Sequence, residues 1–378
     1  MQKKYSIKNY NFLLVIVAVA QAIYGIVIIG SAKESVQNNQ IQGLIMGVVV
    51  MAVVSFVSYT FVLRFYWIYY ILCVGLLAMV ELFGKTVNNA KRWLVIGPIQ
   101  FQPSELAKIL LILFFAQFIM KNRDRLNKLS VIATSLVLVA IPWYLIQDEP
   151  DLSTSIVILA IYVAVMYVGG LSSRIIFGVL SVAIPAFIIT LFLILQPDQE
   201  IIKPYQQNRI LAWLQPDKYT NTEGYQQQNS ITAIGSGQLT GKGYKNNEVG
   251  SVKNGNFIAE PQTDFILAVA GEELGFAGCV AIVLIFAVMV VLIVHVGIRA
   301  PDLSGTLICT GVAAHIGIQS FINIGVATGL LPNTGLPLPF ISYGSTSLVV
   351  VFVEIGLVLN VGLSRVTEKR MQGLELDF

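Results

Sequence analysis

The stretch Pro261-Gln-Thr-Asp-Phe-Ile-Leu-Ala-Val-Ala-Gly-Glu-Glu-Leu-Gly-Phe276 is the boundary on which the reading of this chain turns. Before it lies a polar loop, residues 196–262, rich in Gln, Asn and Gly and poor in aliphatics; after it, apolar sequence continues to residue 298. The rest of the chain alternates apolar stretches of membrane-spanning length with short connectors. Asp264 therefore stands where a long water-exposed loop re-enters a bilayer. A carboxylate in that place can meet the polar headgroup of a lipid-anchored substrate.

Composition points the same way. Of 378 residues, 56% are hydrophobic and only 12% charged, against about 25% charged in an ordinary soluble protein. The mean hydropathy is +0.74. A span needs about 20 mainly apolar residues. By that measure about ten helices are expected, over 11–32, 41–62, 66–83, 104–120, 130–147, 154–170, 174–195, 264–298, 305–331 and 343–363. The expected fold class is all-α: a polytopic membrane protein forming one integral-membrane unit over 1–378, with the large loop 196–262 between spans seven and eight. The stretch 264–298 is too long for one upright helix and is expected to tilt or to project beyond the bilayer. Cys73, Cys279 and Cys309 all sit inside apolar runs without paired spacing, so neither a disulfide framework nor a thiolate metal site is indicated.

The first apolar run follows Lys3, Lys4 and Lys8, as in a signal peptide, but its core is too long for a cleaved one, so an uncleaved first span is expected. Basic residues in short connectors face the cytoplasm. One side collects Lys3, Lys4, Lys8, Arg64, Lys121, Arg123, Arg125, Lys128, Arg174, Arg299, Arg365, Lys369 and Arg370; the short connectors opposite hold only Lys33, Lys85, Lys91 and Arg92. Both termini are thus expected in the cytoplasm, with the 196–262 loop and the 84–103 and 331–342 connectors facing outward. No internal repeat is visible, so an inverted-repeat transporter gains no support.

Within the large loop, Ile210, Leu211, Trp213 and Leu214 form an amphipathic patch flanked by Pro204 and Pro216. It suits a helix lying at the interface, with Trp213 at headgroup level. Gly235-Ser-Gly-Gln-Leu-Thr-Gly-Lys-Gly243 resembles a phosphate-binding Walker loop only superficially: the first glycine would fall at Ser236, and Gly243 replaces the magnesium-binding hydroxyl. Two readings stay open here, backbone N–H groups approaching a phosphate and a plain flexible turn.

Ionisable side chains inside spans are costly and point to function by default. Glu105 and Lys108 stand three apart at the start of the fourth span and can pair on one helical face; a structural ion pair is the alternative. Glu272 and Glu273 lie eight and nine residues beyond Asp264, on other faces, and read as structural partners for other helices. Glu354 stands alone in the last span. His295 and His315 lie in separate spans without ligands at metal spacing, and read as satisfied core histidines rather than a zinc site.

Four stretches then belong together: Lys91-Arg-Trp with Phe101-Gln-Pro-Ser-Glu-Leu-Ala-Lys108; Glu149-Pro-Asp-Leu-Ser-Thr154; Asn229-Ser with Ala233-Ile-Gly-Ser-Gly-Gln-Leu-Thr-Gly-Lys-Gly243; and Leu331-Pro-Asn-Thr-Gly with Pro339-Phe-Ile-Ser-Tyr-Gly344. In order, spacing and placement among the spans they resemble the SEDS family (shape, elongation, division and sporulation), its RodA type more than its FtsW type, over nearly the whole chain. The resemblance implies a peptidoglycan glycosyltransferase of the bacterial cytoplasmic membrane that polymerises lipid II beside a class B penicillin-binding protein, a single-span transpeptidase. The family's essential aspartate falls on Asp264 in Thr263-Asp264-Phe265, and its Glu–Lys pair on Glu105 and Lys108. Two positions depart from the pattern. Gln262 stands where the family often has His before Thr-Asp, and Ser342-Tyr-Gly-Ser-Thr346 replaces the usual Ser-Tyr-Gly-Gly-Ser.

The implied reaction is an attack by an acceptor 4-hydroxyl on an anomeric carbon, with inversion and loss of a lipid pyrophosphate. A hydroxyl is a poor nucleophile, and a positioned carboxylate that takes its proton is worth about 10² to 10⁴-fold; Asp264 is the expected base. Arg92, Lys108, Arg209 and Lys242 are the cations expected to stabilise the departing pyrophosphate, with Glu105 beside them in substrate binding. A divalent cation could share that task, though no cluster of carboxylates demands one. Residue chemistry alone leaves an enzyme nearly level with a flippase for lipid-linked precursors, whose polar path would use Glu105, Lys108, Glu272, Glu273 and Glu354. A scaffold that activates a transpeptidase is the third reading.

Overall fold

In lipid a backbone must satisfy its own polar groups, so apolar runs coil into helices. The computed structural model of the chain follows that rule; it describes residues 9–87, 90–97, 99–149, 151–194, 196, 204–219, 224–245, 251, 255 and 257–364. The terminal basic residues Lys3, Lys4, Lys8, Arg365, Lys369 and Arg370 that helped orient the bundle lie outside the described residues, as do parts of the 196–262 loop and Pro150.

Helix α1 (Phe12–Ala32) starts at Asn11, whose side chain accepts the Leu14 N–H at 3.1 Å. Helix α2 (Gln37–Phe56) ends where Val57 becomes extended. A single turn, α3 (Tyr59–Val62), runs through Leu63–Phe65 into α4 (Tyr66–Phe83). The expected spans 41–62 and 66–83 are therefore redrawn as Glu34–Phe56 and Tyr59–Phe83. The 84–103 connector holds a small antiparallel sheet in the order β1 (Lys85–Val87), β2 (Ala90–Ile96), β3 (Ile99–Phe101), with Lys85 opposite Trp93 and Leu94 opposite Phe101.

There follow α5 (Pro103–Lys121), opened by proline in its first turn, α6 (Leu129–Asp148), α7 (Leu152–Val168) and α8 (Ser173–Ile194). The large loop contributes α9 (Pro204–Leu214) and α10 (Tyr225–Ser236), after which come α11 (Ile266–Ile298), α12 (Leu303–Ala327) and α13 (Ser345–Leu363). Among the described residues, nine helical segments are long and apolar enough to cross a membrane, and the shorter apolar α7 makes a tenth. Burial is unequal. The apolar window of α5 is 83% buried, those of α13 and α12 are 72% and 67%, and that of α8 is 0%. The core is thus built on α5, α12 and α13, while α8 shows its surface to lipid.

The long stretch 264–298 neither simply tilts nor projects; it breaks. Gly275 has φ 66° and ψ −165°, a conformation open essentially to glycine alone. The half before the break, Ile266–Glu273, is buried residue by residue, and lipid-exposed side chains begin at Phe276. A break strands carbonyls on one side and N–H groups on the other. The 237–243 strap takes up both. Phe276 and Ala277 N–H donate to the Gln238 and Leu239 carbonyls at 2.8 and 3.1 Å, while Lys242 and Gly243 N–H donate to the Glu272 and Glu273 carbonyls at 2.9 and 3.0 Å. Of the two readings of Gly235–Gly243, neither a phosphate cradle nor a loose turn describes it: these N–H groups are spent on α11. Its glycines serve close approach, since a Cβ on Gly237 would collide with the Gly271 carbonyl and one on Gly241 with that of Glu273.

Gly275→Ala is accordingly expected to destabilise the protein by about 1–3 kcal/mol from backbone strain alone, with more from the clash against Gly241 and Leu239. Gly75→Ala, whose Cβ meets nothing within 4 Å, should leave the melting temperature in detergent almost unchanged. Equal melting of the two variants would refute the account of the break.

Candidate active site

Asp264 occupies the turn before α11 and is half-buried. Its backbone is pinned from three directions. Asn323 of α12 donates its amide to the Asp264 carbonyl at 2.8 Å and to the Leu336 carbonyl at 2.6 Å. The Ser342 hydroxyl donates to the Thr263 carbonyl at 2.6 Å and accepts the Leu338 N–H at 2.7 Å. Tyr343 N–H donates to the Gln262 carbonyl at 2.8 Å. Gly335, with φ +73°, brings bare backbone beside the carboxylate: a Cβ there would lie 3.4 Å from Asp264 Oδ2. The loop 328–344 thus forms the wall against which Asp264 is set.

Two cations act on this carboxylate. Burial raises its pKa; Arg92 of β2 and Arg209 of α9 oppose the rise, and Asp151 and Glu260 add to it, leaving Asp264 pushed up to about 6. Arg92 is held by the segment between α6 and α7. Its Nε donates to the Glu149 carbonyl at 2.9 Å, and its terminal nitrogen lies 4.0 Å from Asp151 Oδ2. Asp151 caps α7 by accepting the Thr154 N–H at 3.1 Å and also takes the Gln102 amide at 3.0 Å. Ser153 ties the same segment to the loop wall through the Thr334 carbonyl at 2.7 Å. Both Glu149 carboxyl oxygens are buried without a hydrogen-bond partner. Burial first, then repulsion from Asp151, push that group up to about 9 against the pull of Arg92, so it carries its proton at neutral pH.

The other expected site residues sit differently. Lys108 is fully buried; its Nζ donates to Glu105 Oε1 at 2.6 Å and to Gln319 Oε1 at 2.7 Å, and Ser347 donates to the second Glu105 oxygen. Lys242 lies at the α11 break, paired with Glu272 at 3.0 Å. Glu273 accepts the Ser31 hydroxyl of α1. Glu354, for which the sequence names no partner, meets His315 Nδ1 at 2.8 Å. So the charges of Arg92 and Arg209 act on Asp264, while Glu105, Lys108 and Lys242 are engaged in ion pairs. Among the described residues no group of three His, Cys, Asp or Glu side chains is placed to hold a metal ion.

Both departures from the motif pattern find a local use. Gln262 is buried and donates its amide to the Glu260 carboxylate. Ser345 starts α13 against Gly43 of α2, where a Cβ would come within 2.9 Å of the serine Cβ; a glycine on α2 makes room for the added side chain. Trp213 does not simply float at a headgroup level, because its indole N–H donates to the Gly329 carbonyl at 3.0 Å. Sequence reasoning passed over Gln319 and Asn323, and held Asp151 and Ser342 only as motif members without a role of their own. The spacing Asp151-x-x-Thr154 is a helix-start signal, and His315, Gln319 and Asn323 recur at four-residue intervals on α12, one helical face.

The profile of the FtsW/RodA/SpoVE cell cycle proteins matches residues 6–367. The chain is 34% identical over 356 residues to the peptidoglycan glycosyltransferase MrdB of Escherichia coli, covering 93% of each. It is 33% identical over 371 residues to the probable peptidoglycan glycosyltransferase FtsW of Geobacter metallireducens, covering 94% of this chain and 95% of that one. Among solved structures, a chain from work on the structural coordination of polymerization and crosslinking by a peptidoglycan synthase complex superposes with a TM-score of 0.77 at 28% identity, covering 93% and 97% of the two chains. The crystal structure of the Thermus thermophilus rod shape determining protein RodA superposes with a TM-score of 0.69 at 27% identity, over 95% and 98%. The chain with its broken helix α11 and its clamped Asp264 turn belongs to the FtsW/RodA/SpoVE family, the SEDS proteins.

Proposed function

We propose that this protein is a peptidoglycan glycosyltransferase that polymerises lipid II into glycan strands for cell elongation and shape. In this reading it is a single integral-membrane unit of the bacterial cytoplasmic membrane with both termini inside, the 196–262 loop and the Asp264 cleft face outward, and a class B penicillin-binding protein crosslinks the product beside it. The observation that carries the proposal is a half-buried carboxylate, clamped at the end of a membrane bundle, on which the charges of Arg92 and Arg209 act. Relatives that span the same length carry glycosyltransferase names.

Asp264 takes the proton from the acceptor 4-hydroxyl as the new oxygen–carbon bond forms and the bond from the anomeric carbon to the pyrophosphate breaks, with inversion. Desolvation makes the carboxylate a stronger base than a free Asp while leaving it ionised at neutral pH. Arg92 and Arg209 supply fixed positive charge for the leaving pyrophosphate. Glu105, Lys108 and Lys242 support the floor and the strap around that site. The polyprenyl tail has a place as well: an apolar groove of about 680 Å³ lies between α7 and α8, lined by Leu159, Val163, Tyr167 and Phe177 and reaching α12 at Ile318. A flippase path through Glu105, Lys108 and Glu354 would need water access, whereas these side chains are at most 8% exposed and paired with one another or with α12.

Purified Asp264→Asn is expected to lose lipid II polymerisation by about 10² to 10⁴-fold at unchanged melting temperature, assayed alone and with the transpeptidase; full activity in this variant would remove Asp264 as the base. Because the base must be deprotonated and its pKa is raised to about 6, kcat/KM should climb from pH 5 to 7 and level off above. Arg209→Gln removes one of the two charges that hold Asp264 down. Its acid limb should therefore move to higher pH, and a limb that stays in place would show that Arg209 does not act on the carboxylate.

A further inference from the structure

Beneath the Asp264 wall, α12 presents three polar side chains, one turn apart. Asn323 grips the Leu336 carbonyl, and Gln319 grips the next one, Pro337, at 2.9 Å. His315 lies one turn deeper, fully buried, with Nε2 3.0 Å from Gln319 Oε1 and Nδ1 between the two Glu354 oxygens at 2.9 and 2.8 Å. The chain of contacts continues across the bundle through Lys108, Glu105 and Ser347, so that one network around this amide links α5, α12 and α13.

The chemistry of the partners fixes the protons. A carbonyl only accepts and an ammonium only donates. Gln319 must therefore turn its NH₂ toward Pro337 and its oxygen toward Lys108. The same oxygen faces His315 Nε2, so that nitrogen carries a hydrogen. Nδ1 lies at hydrogen-bond distance from a carboxyl group and needs a proton between them, placed on either side. The His315–Glu354 unit is neutral in both placements, as is Glu105–Lys108. One donor at Gln319 Oε1 would hold the oxygen end of the amide by a single bond. Two donors, from α5 and from α12, fill both lone pairs and set its plane.

We propose that His315 and Glu354 are positioning residues: with Lys108 they lock the Gln319 amide onto Pro337 and thereby hold the loop wall that backs Asp264. The link from loop to turnover rests on the assignment of Asp264 above. The loop itself can be read without activity, by hydrogen exchange of the Leu338, Ile341 and Ser342 amides, bonded within this loop, and of the Tyr343 amide, bonded to the Gln262 carbonyl.

The test uses the full-length protein in nanodiscs with lipid II as substrate. His315→Phe alone would orphan a buried carboxyl, so it is combined with Glu354→Leu. This double variant is expected to speed exchange of those amides about tenfold and to lower kcat by about 10- to 100-fold at unchanged KM, since a displacement near 1 Å can cost as much. Glu354→Gln can donate to His315 Nδ1 and keep the Nε2 hydrogen on Gln319. It should match wild type within about twofold in both readouts. Gln319→Glu, nearly isosteric and, when ionised beside Lys108, without a hydrogen for Pro337, should reproduce the double variant even if that variant folds poorly. Wild-type exchange in Gln319→Glu or in the double variant overturns the proposal, as does equal damage from Glu354→Gln. Faster exchange with unchanged turnover would uphold the hold on the loop and count against Asp264 as the catalytic group resting on it.

Discussion

Irregular backbone at membrane depth must find its hydrogen bonds within the protein, and the functional end of this molecule is arranged around that demand. A buried polar group left unpaired costs about 1–3 kcal/mol, and the α11 break alone exposes several. The 237–243 strap answers them through backbone contacts close enough to require glycine. The end of α12 is met in the same way. Gln227 donates to the Val326 and Leu331 carbonyls at 2.8 and 2.7 Å, Ser230 to Ala327 at 2.8 Å, and Trp213 to Gly329. Gln40 of α2 donates to the Ser342 carbonyl at 3.2 Å and accepts the Gly344 N–H at 3.0 Å. The loop helices α9 and α10 are thus parts of the bundle's hydrogen-bond closure.

That closure is also what gives Asp264 its chemistry. A side chain on a floppy loop would stay hydrated and keep an ordinary carboxylate pKa. Here the turn is clamped by Asn323, Ser342 and Tyr343, so desolvation acts continuously and two arginines must offset it. The contrast with Glu149 is instructive. It shares the neighbourhood of Arg92 but has no hydrogen-bond partner for its carboxyl, and burial with the nearby Asp151 carries it to about 9. Two carboxyl groups that feel one arginine are thereby pushed to different pKa values, about 6 and about 9, by their surroundings.

What could be read beforehand follows the range of the forces involved. The spans, their number and the re-entry at Asp264 come from hydrophobic runs, which are local and survive any packing. The break at Gly275 was hidden because a glycine inside an apolar run looks like any other; only the opposing strap, thirty-odd residues earlier in the chain, gives it meaning. Arg92 and Arg209 could be listed as cations on one side, but not separated from Lys108 and Lys242. That separation depends on Gln319 and Glu272, whose distances across helices no spacing rule supplies. Glu354 looked solitary for the same reason, since its partner lies on another helix, 39 residues away in sequence. The sheet in the 84–103 connector went unread because its strands are short and its alternation weak.

The substrate of the proposed reaction makes opposite demands at its two ends, and the bundle meets them with different helices. A sugar pyrophosphate needs a site that does not reorganise when the bond breaks, and the loop wall beside Asp264 is anchored on α12, one of the most buried helices of the molecule. A polyprenyl chain gains little from any fixed partner, because lipid is as good a solvent for it as protein; what it needs is access from the side. Helix α8, with none of its apolar window buried, leaves that side open along the groove it shares with α7. The two regimes meet at α12, where Ile318 lines the groove and the adjacent Gln319 anchors the loop wall. A rigid polar floor and an open apolar flank are thus separated by a single residue step on one helix, which is how one membrane bundle can hold a headgroup still while its tail remains in the bilayer.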